Sequence, residues 1–249
     1  MKILAIGESC TDRFVYGHAQ DRKCPEAPAF ILSPCDVLEN PGMAANTQAN
    51  AQNLGAQCDI ITNCEQIIKE RFVDIKSNYL LLRVDHNENS INRIDRARIN
   101  PEKLSVYDAI IISDYNKGFL SKDDIQYICQ NHKLVFLDTK KILGDFCLDA
   151  KYININNFEY EKSQPFINEE YFYEKLVITL GPMGCQYKDK IYPVEKTEVI
   201  DQVGAGDTFA ASLAIKFLEK LDIVEAINFA NHCATEVVKK KGVAIANSE

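Results

Sequence analysis

The chain has 249 residues, of which 46% are hydrophobic and 26% charged, and it carries a net charge of −8. That composition fits a folded globular protein of one large domain or two small ones, and the lack of a long basic block speaks against a nucleic-acid surface. No apolar run reaches the length of a membrane span, and nine scattered cysteines without a C-x-x-C pair favour reduced thiols in a cytoplasm over a disulfide framework or a zinc site.

In chain order, M-K-I-L-A-I-G-E-S opens as a strand over Lys2–Gly7 and its turn, too short and too soon charged for a secretion signal. Residues 29–32 and 37–38 are short apolar pieces in polar surroundings, read as part of a small separate sheet. Residues 42–54 have helical spacing and stop at Gly55, a good residue to follow a helix end. Strands are predicted at 59–62, at 71–76 and 79–84 around Ser77-Asn78, and at 109–113, an almost wholly apolar run of the parallel-sheet type. A helix over Lys122–Asn131 is followed by strands at 134–137, 152–155 and 176–180. Gly181-Pro182-Met183-Gly184 makes a tight turn into 185–188. Two helices close the chain, one over 207–219 and one from Asp222, with Glu225 as a capping-box-like partner, to Lys241 before Gly242. Alternating strands and helices predict an α/β sheet with helices on both faces, and the early β-rich pieces predict a lid sheet.

The motif with most chemistry is V-G-A-G-D-T-F. Three small residues, Gly204, Ala205 and Gly206, lead into Asp207 at the mouth of a helix, where free N–H groups and the helix dipole attract anions. Two roles are open for Asp207 on these residues alone. It is an N-cap beside a glycine turn, or it is a base that takes a proton from an attacking hydroxyl while neighbouring amides hold the growing negative charge. The low pKa expected for a carboxylate at a helix mouth does not exclude the second role, because phosphoryl transfer needs its base only late. Neither a P-loop nor a G-x-G-x-x-G fingerprint is present.

D-Q-V-G-A-G-D-T-F resembles the C-terminal signature of the ribokinase-like (PfkB) carbohydrate kinases, and N-P-G-M-A-A-N at residues 40–46, followed by N-L-G-A, resembles their N-terminal hallmark in altered form. C-P-E-A-P-A-F, Y-D-A-I-I-I-S-D-Y-N-K-G, F-L-D-T-K-K and I-N-N-F-E-Y-E are similar to stretches of the D-glycero-D-manno-heptose 7-phosphate kinase domains, in order along nearly the whole chain. The resemblance implies one ribokinase-like domain over 1–249: a three-layer α/β sandwich with a mostly parallel central sheet and a β lid from segments near 10–40 and 71–90. It implies a cytoplasmic kinase that uses ATP and Mg²⁺ on a sugar phosphate. Asp207 is then the base and 204–206 the anion hole. Asp12 and Asn46 grip sugar hydroxyls, with Gly42 allowing close approach; a carboxylate and an amide together offer donors and acceptors to a sugar. Asn156 and Glu159 reproduce an N-x-x-E pattern whose oxygens suit Mg²⁺ directly or through water. Thr179, Gly181, Gly184 and, more weakly, Asn231 line the nucleotide pocket.

Lys117 and Lys140 each follow an apolar strand and face the ligand crevice, where they meet ATP phosphates or a sugar phosphate. Arg13 and Arg83 are candidates for a phosphate pocket, since guanidinium forks suit phosphate. Three features depart from the family pattern. Met43 replaces the second glycine of the usual pair, the stretch between Thr62 and Arg71 is short, and no nucleotidyltransferase domain follows Glu249, so the fused bifunctional form is not expected here. A lid with exposed edges favours a homodimer that covers them.

Overall fold

The protein is described from a computed structural model, over residues 1–22 and 24–246. The strands are β1 (Lys2–Gly7), β2 (Ser9–Ala19), β3 (Leu32–Met43), β4 (Gln57–Ile61), β5 (Ile68–Asp74), β6 (Tyr79–His86), β7 (Ala109–Asp114), β8 (Val135–Thr139), β9 (Tyr152–Asn156), β10 (Leu176–Thr179), β11 (Cys185–Tyr187) and β12 (Lys190–Tyr192). The helices are α1 (Ala44–Asn53), α2 (Pro101–Leu104), α3 (Lys122–Asn131), α4 (Asn157–Ser163), α5 (Glu169–Phe172), α6 (Ala205–Lys220) and α7 (Ile223–Val238).

Eight strands form the central sheet in the order β12-β11-β10-β9-β8-β7-β1-β4. From β4 to β10 the neighbours run parallel, while β11 and β12 pair antiparallel at one edge. The inner strands are buried on both faces, and alternate residues feed two separate cores. Ile3, Ala5, Ala109, Ile111 and Phe136 pack with α6 and α7, whereas Leu4, Ile6, Ile110, Ile112 and Leu137 pack with α3. This is the expected three-layer arrangement. Helix α6 carries Ala210, Ala211, Leu213, Ala214, Ile215 and Phe217 buried around much of its circumference, because it is enclosed by the sheet, α1 and α7.

A second sheet of four strands, in the order β3-β2-β5-β6, forms the lid. The apolar pieces at 29–32 and 37–38 are only fragments of its first half. Strands β2 and β3 are in fact long, with 11 and 12 residues, and Pro34 and Pro41 fit into β3 because it is an edge strand. The shortened region after β4 leads directly into β5: Asn63 accepts from Ser9 N at 2.7 Å and donates to the carbonyl of Glu65, tying the linker to the start of β2.

Candidate active site

Several predicted site residues lie at the carboxyl ends of the parallel strands, where ligand crevices form in such sheets: Asp207 lies against the end of β7 through Ser113, Lys140 follows β8, Asn156 ends β9 and Thr179 ends β10. Helix α6 begins two residues earlier than predicted, at Ala205, so Gly204 is its N-cap with φ 82° and Asp207 lies inside the first turn. The Asp207 carboxylate is 3% exposed. Asn46 Nδ2 donates to its Oδ2 at 3.1 Å, and the Tyr115 hydroxyl donates to its Oδ1 at 2.9 Å. The capping role is therefore not the one realised, and the low pKa expected at a helix mouth is overturned. Burial pushes Asp207 up to about 7, with Asp138 adding to the rise, while the bonds from Asn46 and Tyr115 and the charge of Lys140 oppose it. Of the predicted anion-hole amides, that of Ala205 turns back to the Gln202 carbonyl at 3.3 Å.

Asn46 is fully buried, not an exposed helix position. Its amide also reaches the Gly204 carbonyl at 3.3 Å, so it ties α1 to the mouth of α6. Asn50, one turn later, donates to Asn46 and accepts from the Thr208 hydroxyl at 3.2 Å and from Ala246 N at 2.9 Å. Next to Asn46, Gly42 faces Asp12 so closely that a Cβ there would lie 2.1 Å from Asp12 Oδ2. Only a glycine permits that approach. Met43, which follows, is buried and has φ 61° and ψ −133°, a conformation open to glycine and strained for methionine.

The lid brings cations to the same side. Asp12 pairs with Arg71, whose register partner across the sheet is Arg83; Arg83 in turn grips Asp85 at 2.8 Å. Lys69 and Lys117 share one carboxylate, Glu88, at 3.8 and 2.9 Å. Arg13 does not join them. Strand alternation turns it to the opposite face of β2 from Asp12, where it binds Glu39 at 2.5 Å and Glu70 at 3.5 Å.

On the other side of Asp207, Lys140 lies 3.2 Å from Asp138 and 2.9 Å from Glu159. Burial works to lower its pKa, but the two carboxylates outweigh it and hold the ammonium charged. Asn156 and Glu159 form a reciprocal capping box at the head of α4, each accepting the other's backbone N–H at 2.9 Å. Asn154, two residues earlier and on the same side of β9, has a buried Oδ1 without a partner. Hard oxygens with spare lone pairs, one of them orphaned, fit a Mg²⁺ ion that keeps much of its water. Among the described residues no three His, Cys, Asp or Glu side chains converge, so the protein's share would be Glu159 and amide oxygens.

Thr179 ends β10 with its hydroxyl 3.4 Å from the Ile155 carbonyl. Gly181 and Gly184 turn the chain at φ 59° and 90°, and a Cβ on Gly184 would lie 2.1 Å from the Tyr192 carbonyl. Asn231 donates to that same carbonyl at 2.9 Å, so it holds the turn from the far side.

Three neighbours of the site were not singled out from the sequence. Glu8, fully buried just after β1, accepts the backbone N–H groups of Tyr115, Lys117 and Phe119 at 2.9, 2.9 and 3.1 Å. Tyr115 and Asp138 flank Asp207 and Lys140. The stretches holding Tyr115 and Asp138 carried the family resemblance, but no spacing rule joins Glu8 to residues more than 100 positions away.

Comparisons with known proteins bear on this constellation. Residues 159–249 match the model of the pfkB family carbohydrate kinases. The whole chain aligns with the bifunctional protein HldE of Helicobacter acinonychis (strain Sheeba), at 31% identity over 301 positions. The C-terminal part of the chain is thus similar to the pfkB family carbohydrate kinases, and the whole chain to part of HldE. The chain spans 65% of the length of that relative and of the HldE of Helicobacter pylori (strain G27), to which it is 29% identical. Among solved structures the fold is shared with phosphofructokinase-2 of Escherichia coli in complex with substrates and products (TM-score 0.74, 13% identity, 100% of this chain and 95% of that one). A ribokinase from Thermotoga maritima is similar too (TM-score 0.72, 15% identity, 97% and 94%). The fold seen here is thus one that these solved structures share.

Proposed function

We propose that this chain transfers the γ-phosphoryl group of ATP to the anomeric hydroxyl of D-glycero-D-manno-heptose 7-phosphate. The observation that carries this reading is the buried Asp207 carboxylate at the mouth of α6, with the polar side chains of Asn46 and Asp12 on the lid side and Lys140 on the other. Asp207 takes the proton of the acceptor hydroxyl as its oxygen bonds to the γ-phosphorus and the bond to ADP breaks. With a pKa near 7, it is poised to accept that proton close to neutrality. The head of α6 faces the charge that builds on the moving group. Asp12 and Asn46 orient the sugar, and Gly42 lets it approach. Bound Mg²⁺, held at Asn156 and Glu159, would neutralise phosphate charge. Lys140 adds a fixed positive charge to the same region.

A phosphorylated acceptor is favoured over a neutral one because Lys69 and Lys117 share a single carboxylate, with Arg71 and Arg83 beside them. A second reading, a kinase for another sugar phosphate, is favoured by Met43, whose side chain fills space that a glycine would leave open beside Gly42. The reading includes a reducing compartment, since all nine cysteines are free thiols. No helix among the described residues is long and apolar enough to cross a membrane. It also includes a homodimer through the lid, whose Val37, Tyr79, Leu80 and Leu82 are exposed; sedimentation at several concentrations measures this.

The deciding assay couples ADP release to a readout with Mg²⁺ and a panel of heptose 7-phosphate, fructose 6-phosphate, ribose and adenosine. Turnover with the heptose phosphate, lowered about 10³-fold in Asp207→Asn, is expected. Turnover with another member keeps the mechanism and assigns the change of substrate to Met43. No turnover with intact ATP binding overturns the kinase reading.

A further inference from the structure

Tyr115 stands where the two halves of the site meet. Its hydroxyl donates to Asp207 Oδ1 at 2.9 Å, on the oxygen that Asn46 does not use. The Lys69 ammonium from the lid lies 5.1 Å from the ring centroid, and that of Lys140, from the β8 side, lies 5.4 Å away. The backbone that carries it is fixed from two directions. Glu8 accepts the N–H of Tyr115 itself as well as those of Lys117 and Phe119. Asp114, fully buried against Lys141 at 2.8 Å, accepts the N–H of Asn116 at 3.2 Å. Such a loop presents the phenol at one place.

We propose that Tyr115 is a positioning residue for the base: its phenol, fixed by Glu8 and Asp114 through the loop, holds the Asp207 carboxylate in one orientation and in its ionised form. The proposal rests on the reading of Asp207 as the base. An ionised carboxylate has about four lone-pair positions. Tyr115 and Asn46 take one on each oxygen, which blocks rotation of the group and leaves lone pairs for an acceptor hydroxyl. Burial alone would leave Asp207 protonated and useless as a base near neutrality. The groups around it are Asn46 from α1, Ser113 and Tyr115 from the end of β7, Asp138 and Lys140 from β8, and Cys10 from β2. Ser113 is at 3.5 Å, a weaker donor to the same oxygen. Asp138 opposes ionisation and Cys10 stays protonated, its thiol pushed up to about 12 chiefly by burial. Of the donors on Oδ1, Tyr115 is therefore the strong one. Its own pKa is raised well above normal, first by burial and then by Asp207, so it keeps its proton and remains a donor.

The test needs no substrate at its first stage. Full-length protein carrying ¹³C-carboxyl aspartate is titrated, with the Asp207 signal assigned by its loss in Asp207→Asn. Tyr115→Phe keeps the ring and removes the donor, so the Asp207 midpoint is expected to rise by about one pH unit. 3-Fluorotyrosine at the same position, a stronger donor of nearly the same shape, is expected to lower it. An unchanged midpoint overturns the proposal, since a packing role alone survives in phenylalanine. If the phenylalanine variant does not fold, the fluorotyrosine protein decides by the opposite sign. At the second stage the acid limb of kcat/KM against pH is expected to move with the midpoint, with KM for ATP unchanged. A moved midpoint with an unmoved limb overturns the catalytic part. A moved midpoint in a protein with no turnover on any acceptor overturns the kinase reading and leaves the coupling of Tyr115 to Asp207 standing.

Discussion

Two helices open onto Asp207, and they open in different ways. Gly204 is the N-cap of α6 with φ 82°, and Met43 is the N-cap of α1 with φ 61°. Neither helix has a side-chain cap, so at both mouths the backbone conformation alone aims the first turn. At α6 that conformation is held by glycine, which adopts it freely. At α1 it is held by a buried methionine that resists it. The phosphoryl side of the site is thus built without strain, and the sugar side is built under it. Packing of Met43 with Cys10 and Ile67, and against Tyr115, keeps the strained turn in place.

The comparison is broken most directly at Gly204. Alanine there is expected to cost about 1–2 kcal/mol in backbone conformation, and its Cβ would lie 2.6 Å from Asn46 Nδ2 and 2.8 Å from Val243 Cγ1. Asn46 must then move, and Asn46 holds Asp207. Turnover of Gly204→Ala is expected to fall about 100-fold, mostly in kcat, because a displacement on the scale of 1 Å at a reacting centre has that effect. Steady-state kinetics against the best acceptor checks it. A change in KM alone would show that the α6 mouth does not set the position of the base.

Much of this architecture was legible in the sequence. Apolar runs at β1, β7, β8, β9 and β10 were read within about two residues of their true ends, because strands buried on both faces leave little ambiguity. The G-A-G-D turn and Asn46 were found for a similar reason: the same short motif encodes both the local bend and the chemistry. The lid was legible only in part. Strand β2 places Cys10, Asp12, Phe14 and Tyr16 on its inner face, and a carboxylate in the middle of that row disguises the alternation. Strand β3 is disguised by its two prolines. The N-x-x-E pattern had two meanings at once, since the residues suited to Mg²⁺ are also the two halves of a capping box. Glu8 was missed because its partners are set by the sheet order, not by spacing along the chain.

Where the two mouths meet, the protein is expected to give up stability for chemistry. Asp207 keeps its proton in the folded state up to about pH 7, whereas an unfolded aspartate releases it near its ordinary value of 3.8. Below both values the residue contributes nothing to pH dependence. As pH rises from about 4 to about 7 the unfolded chain ionises first, so folding stability falls through that window and levels off above it. Asp207→Asn removes this penalty. The variant is expected to equal wild type near pH 4 and to exceed it by about 2 kcal/mol above pH 7, in urea unfolding at a series of pH values. A gain that is constant with pH would mean that Asp207 folds already ionised, and that the α6 mouth stabilises its charge more than burial opposes it.

The smallest effect, and the sharpest comparison, is at Met43. Replacing a buried methionine by a smaller residue normally lowers stability by about 2–5 kcal/mol, and glycine is usually worse than alanine by about 0.5–1 kcal/mol because it orders a freer chain. At φ 61° and ψ −133° the second rule should invert. Alanine loses the packing against Cys10 and Ile67 and keeps the strain, whereas glycine loses the packing and releases it. Met43→Gly is therefore expected to be more stable than Met43→Ala by about 1 kcal/mol, read from urea midpoints at equal m-values. It should also open the space beside Gly42 and Asn46, so acceptor KM values across the sugar panel should separate in Met43→Gly from those of wild type, while KM for ATP stays level. If alanine proves the more stable of the two, the strain at α1 is not stored in this residue, and the two helix mouths are alike after all.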